Sequence, residues 1–286
     1  VSRPRSGPTV ALRLIAADLR ARREAAGLTM EQAAARLGVH EATLRRTERA
    51  MTGLRASTVA ELLRIYGTGP EESRRVLEEL SEANRPGWWH HWRDVLPSHL
   101  AGVIDLESAA DVIRVYAPGV VPDLLQTPEY AHALLRLRHP RDDTARTAQR
   151  LALLAARQQR ALHRERPARL WVLMEEAVLS RPLGGRVAMR RQHERLARAV
   201  EDRSSPVSLQ LLPNDSERPH PLLHSGPAEV MRFGHEALAD RLIVRGLHPE
   251  AATVSDDADA VRTYQAAMDA AAVGAPPPHT ALPDPT

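Results

Sequence analysis

The chain has 286 residues, enough for one or two domains that each bury a core and too many for a single small binding module. Aromatic residues are only 3% of a chain that is 43% hydrophobic, so the core is built from aliphatic side chains; the absence of cysteine excludes disulfides, thiolate nucleophiles and cysteine-ligated zinc. The net charge of +3 conceals a split, with 12 Arg against 6 Asp and Glu in residues 1–66 (+6) and 27 against 30 in the remainder (−3), and no lysine anywhere.

Positive charge is therefore concentrated where a polyanion-binding surface would lie. No apolar run approaches the ~18 residues that a bilayer span needs, and the first ten residues lack an apolar signal core, so a cytoplasmic protein with no membrane contact is expected. Residues 1–8 hold two Pro, a Gly and two Arg, have nothing to bury, and read as a flexible arm. From Thr9 a helix opens with Leu12, Ile15, Ala16 and Leu19 on one buried face and stops at Gly27.

Thr29 offers an N-cap hydroxyl and Gln32 stands three residues on, the capping-box pattern that fixes where the second helix starts. Its apolar face is Met30, Ala33, Ala34 and Leu37, and Gly38 ends it. After Val39 and His40 the pattern restarts over 41–49, and a short Gly-containing turn between two short helices is helix-turn-helix spacing. On the third helix Leu44 points inward beside Val39 and Thr47, leaving Glu41, Ala42, Arg45, Arg46 and Arg49 outward. Arg can pair bidentately with guanine O6 and N7, and Ala can meet a thymine methyl, so this face suits a major groove of double-stranded DNA. A fourth helix follows a Ser57 cap, with Val59, Leu62, Leu63 and Tyr66 inside, and Gly67, Gly69 and Pro70 close a domain over 9–69.

Residues 12–66 resemble the xenobiotic-response-element helix-turn-helix family. Leu28-Thr29, Glu31, Ala34, Gly38-Val39 and Glu48-Arg49 fall on its pattern. The resemblance implies phosphate contacts from His40 and Arg49, base-edge contacts from Glu41, Ala42 and Arg46, and Arg45 at the groove wall; Thr43 completes the candidate set. Three positions depart from the family: His40 for Ser or Thr, Thr47 for a larger apolar residue, and Ala50 for Gly. Glu41 replaces a frequent Gln, and a carboxylate repels phosphate but accepts from cytosine N4.

Residues 70–100 read as a helical connector, with a helix over 71–83 burying Val76, Leu77 and Leu80. Trp88, Trp89 and Trp92 follow at helical spacing, as a buried aromatic clasp or as the wall of a ligand pocket. An α+β domain over 101–273 is expected next. Helices are read at 106–116, 127 onward, 142–166, 187–200 and 256–272, and strands at 170–174, 207–212, 228–233 and 241–246, before a disordered Pro-rich tail over 274–286. The fold class is thus mainly α, an all-α helix-turn-helix domain followed by an α+β effector domain with a small sheet.

Three motifs in this half, VPDLLQTPEYA, LMEEAVLSRPLGG followed by MRRQHERL, and VSLQLLP leading to VMRF, resemble the effector domain of antitoxin-like actinobacterial regulators, among them WhiJ-type repressors. Asp123 and Ala228 depart from the common Gly and Phe. The resemblance implies a regulator that acts with a small partner protein encoded by a neighbouring gene, and no catalytic activity. No hydrolase elbow, zinc-protease or phosphate-loop motif is present, so neither an enzyme nor a cofactor is expected. The expected assembly is a DNA-binding homodimer, and the alternative is an antitoxin-like protein that sequesters its partner and binds DNA for autoregulation. Trp88, Trp89, Trp92, Leu125, Gln126 and Tyr130 are the candidate contacts for a partner or a small-molecule effector.

Overall fold

The Thr9 hydroxyl accepts from the Leu12 amide and sets the start of the first helix, α1 (Val10–Ala25). The computed structural model describes residues 9–51, 53–96, 98–215, 219–236, 238–246, 252–278 and 280–283. The chain divides into two units, one of Val1–His91 with His235–Leu238 and one of Trp92–Gly234 with Ala239–Thr286.

In the first unit α1 is followed by α2 (Met30–Leu37), α3 (Glu41–Thr47), α4 (Ala56–Ile65) and α5 (Pro70–Ala83). Both halves of the Thr29–Gln32 capping box are formed. One aliphatic cluster joins Leu12, Ile15 and Leu19 of α1 to Ala33 and Ala34 of α2, Leu44 of α3, Leu62 and Leu63 of α4, and Val76 and Leu80 of α5. Each fully buried Leu contributes about 1.5–3 kcal/mol relative to an exposed one. The helix that sequence places in a connector thus shares the core of this bundle, started by Pro70 at its first position. Ser57 does not cap α4: Arg55 occupies the N-cap and makes no side-chain cap bond, and Ser57 lies inside the first turn.

The second unit holds α6 (Ser98–Ala109), β1 (Val112–Ala117), α7 (Pro128–Arg138), α8 (Thr144–Leu162), β2 (Arg169–Glu175), α9 (Gly185–Glu201), β3 (Val207–Leu212), β4 (Ala228–Arg232), β5 (Arg241–Arg245), β6 (Ala252–Ser255) and α10 (Ala258–Gly274). The strands form one sheet of order β3-β2-β1-β4-β5-β6. β1, β2 and β3 are parallel and linked through helices, whereas β4, β5 and β6 add antiparallel. Val261, Met268 and Ala271 of α10 pack on Tyr116, Leu173, Leu212, Val230 and Leu242 on one face. By strand alternation Ile113, Val115, Leu170, Val172 and Leu209 point to the other face, and they are buried as well. The molecule is mainly α, an all-helical N-terminal unit followed by an α+β unit with a mixed sheet.

Residues 106–116 are not one helix. α6 ends at Ala109 and β1, a strand near the middle of the sheet, begins at Val112. A strand covered on both faces shows no polar alternation, so its apolar run imitates a helix stripe. β6 also lies where no strand is expected from sequence. The long helix read over 142–166 is shorter, α8 starting after its Asp143 cap and ending at Leu162. The described part of the Pro-rich tail is tied down, for Gln210 donates to the Ala272 and Pro276 carbonyls and His193 Nε2 lies 2.6 Å from the Pro283 carbonyl. Residues 1–8 lie outside the described residues. Among the described residues no helix is long and apolar enough to cross a membrane.

Candidate nucleic-acid interface

The turn that launches α3 depends on Gly38. It sits at φ 71°, in the left-handed region, and its N–H closes α2 onto the Ala34 and Ala35 carbonyls. Val39 N–H bonds the Ala34 carbonyl, so α3 starts two residues later in a fixed direction. Leu44 anchors α3, with none of its surface exposed. The helix expected over 41–49 ends at Thr47 with Glu48 as its C-cap, so Glu41, Ala42, Thr43, Arg45 and Arg46 lie on α3, His40 just before it and Arg49 in the turn after it, all seven exposed.

Their electrostatics are unequal. Glu41 Oε1 lies 2.6 Å from Arg45 Nη2, one turn along α3, so Arg45 is already held against a carboxylate. Arg46 and Arg49 have no carboxylate partner among the described residues. They are the cations of this face ready to meet phosphate or guanine. His40 is the N-cap of α3 but makes no side-chain cap bond, consistent with a residue type poorly suited to capping. Thr47 uses its hydroxyl on the Thr43 carbonyl within the helix, at 3.0 Å.

Beneath the exposed face lies a buried polar group that the helical pattern alone does not show. Glu48 is 5% exposed and accepts from Arg23 Nε at 2.9 Å and from the Tyr66 hydroxyl at 3.0 Å, while Arg23 also donates to the Leu28 carbonyl. Burial, followed by the Glu48 charge, pushes the Tyr66 hydroxyl above its ordinary pKa and keeps it a donor. The available signal was spacing, because Glu48 is four residues beyond the inward Leu44 and so had to face the core. Ala50, where the resembled family has Gly, is fully buried at φ 49°, a left-handed conformation held by a residue with a Cβ.

The candidate effector residues lie elsewhere. Leu125, Gln126 and Tyr130 meet in one turn and are almost fully buried. Gln126 Nε2 donates to the Val121 carbonyl, the Tyr130 hydroxyl accepts from Val121 N–H, and Gln192 bonds both the Leu125 carbonyl and the Thr127 amide. These groups satisfy the turn itself and leave little surface for a macromolecular partner. Trp88–Trp92 forms a 3-10 turn in which the Trp88 and Trp89 rings meet edge to face, 5.9 Å between centroids; Trp89 is buried, Trp88 and Trp92 half-buried.

Next to the turn runs a buried charge network. Arg157 bonds Glu107 at 2.8 Å and Asp123 at 3.0 Å, Arg138 lies 3.6 Å from Asp123, and Arg245 pairs with Glu229 at 2.7 Å. Burial pushes the Asp123 carboxyl up, but Arg157, Arg245 and Arg138 outweigh it and hold the carboxyl well below the usual carboxylate range. Among the described residues no group of three His, Asp or Glu side chains converges as a metal ion would need.

A family model described as a helix-turn-helix domain matches residues 14–76, which covers α2, α3 and the exposed arginine face and supports a DNA-binding regulator. A second, described as a domain of unknown function (DUF5753), matches residues 100–282. No curated protein and no solved structure matches the chain. The second match takes in the whole mixed sheet and more than half of the residues, and on it the chain belongs to the DUF5753 family.

Proposed function

We propose that the chain is a sequence-specific, non-catalytic transcriptional regulator that reads double-stranded DNA through α3. The observation that carries the reading is the exposed cationic surface at α3, where Arg46 on the helix and Arg49 in the turn after it have no carboxylate partner among the described residues, on a helix set by a Gly turn. In this reading His40 and Arg49 touch phosphates, Glu41, Ala42 and Arg46 meet base edges, and Arg45, oriented by Glu41, lies at the groove wall with Thr43 beside it. A single helix-turn-helix buries little surface, so we propose a homodimer on two half-sites about one helical turn apart.

The DUF5753 unit would carry dimerisation and a sensing surface. Its resemblance to WhiJ-type, antitoxin-like regulators favours a small protein from a neighbouring gene as partner. Arg46→Ala tests the reading: binding to a preferred duplex should weaken by about 1–3 kcal/mol and preference should blur at one base position. Unchanged affinity and preference in fluorescence anisotropy would remove Arg46 from the base-reading set.

A further inference from the structure

We propose that the cleft beside the first turns of α9 binds a small amphipathic anion, a phosphoryl or carboxyl head on a short apolar body. The cleft has a volume of about 270 Å³, at the small end of ligand pockets, which suits a body of a few carbons. Leu179, Pro182 and Met189 line it with apolar surface, Arg186 and Arg190 line it with guanidinium donors, and the His193 ring completes the lining.

What distinguishes Arg186 and Arg190 is that no described residue uses them. Of the five on α9, Arg191 pairs with Glu129, Arg195 donates to the Leu124 carbonyl and Arg198 donates to the Glu194 carbonyl. Arg186 and Arg190, the two that line the cleft, have no partner among the described residues. They stand one turn apart, where like charges repel. An anion seated between them converts that repulsion into charge-assisted hydrogen bonds, and the apolar lining takes the uncharged part of the same molecule. His193 already holds the Pro283 carbonyl through Nε2, so one wall of the cleft is fixed. The site deepens the sensing role proposed for the DUF5753 unit. It rests on that reading only for its consequence on DNA, and binding itself is measured without DNA.

The test is calorimetric titration of the full chain with n-hexyl phosphate, heptanoate and inorganic phosphate. At least one of the two amphiphiles binds at a single site, and which one identifies the head group. Binding tightens over inorganic phosphate and weakens at least about tenfold in Arg186→Gln/Arg190→Gln. Both arginines are exposed, so the variant keeps its fold, checked by an unchanged circular-dichroism melt. The proposal is overturned if neither amphiphile binds, if the folded double variant binds as tightly as the parent, or if inorganic phosphate binds as tightly as hexyl phosphate. None of these outcomes alters the effect of Arg46→Ala on DNA, so the two readings fail independently.

Discussion

Glu41 and Glu48 lie seven residues apart around α3, and their surroundings give them opposite roles. Glu41 and Arg45 are both about half exposed, so their ion pair contributes a few tenths of a kcal/mol to stability at most, and its importance lies in where it holds Arg45. Glu48 is buried against Arg23 and Tyr66, and removing it strands a buried guanidinium and a hydroxyl. Glu48→Ala should therefore cost the first unit about 3 kcal/mol or more, read as a lowered denaturant midpoint. Glu41→Ala should leave that midpoint unchanged while altering base preference. Equal stability of the two variants would contradict the assigned roles. The exposure of Glu41, Ala42, Thr43, Arg45 and Arg46 on α3 is legible in the sequence, because outward positions follow from the one buried Leu44, whereas the end of the helix at Thr47, two residues before Arg49, is not. The sequence did not carry the Arg23–Glu48–Tyr66 group, whose members are 25 and 18 residues apart and whose pairing exists only after α1, α3 and α4 have packed.

Among the described α-helices of the first unit α3 is the shortest, and like α4 it has no side-chain N-cap bond. His40 makes no cap bond, and the chain leaves the helix through Ala50 in a left-handed conformation. His40→Ser supplies the missing acceptor for the first turn and should stabilise the unit by about 1 kcal/mol, raising its melting temperature; an unchanged or lowered melt would show that His40 is not limiting. Ala50→Gly should be nearly neutral, since relief of about 1–2 kcal/mol of left-handed strain is offset by losing a buried methyl and adding unfolded-state freedom. Helices with a capping residue are legible: Thr29 and Thr127-Pro128 each mark a start that the structure keeps, whereas Pro70, read from sequence as closing the first domain, is the first residue of α5. β1 is not legible, because Ile113 to Ala117 are all buried and no two-residue alternation survives. The sequence therefore shows the parallel core of the sheet one strand short, although the runs at 170–174 and 207–212 read as strands and fall within β2 and β3.

At the scale of the whole molecule, the second unit is built around charges that only the fold brings together: Glu107 on α6, Asp123 after β1, Arg157 on α8 and Arg245 on β5. The Asp123 carboxyl titrates below its unfolded value in the folded chain. Its contribution to stability is therefore complete above about pH 4 and is lost as the pH falls through the lower, folded value. Asp123→Asn should destabilise the chain at neutral pH and flatten the acid limb of its stability curve; a variant whose acid limb is as steep as the parent's would exclude Asp123 as a source. The DUF5753 unit thus holds both this interior charge network and the cationic cleft of α9, while the exposed arginines at α3 belong to the other unit.

Sequence-specific reading of DNA by α3 is decided by selection of bound duplexes from a random library, run in parallel on the full chain and on Arg46→Ala. The expected outcome is an enriched guanine-containing half-site, repeated in inverted order at about one helical turn, with one base position losing its preference in the variant. No enrichment with the parent chain, or an identical motif from the variant, would contradict it.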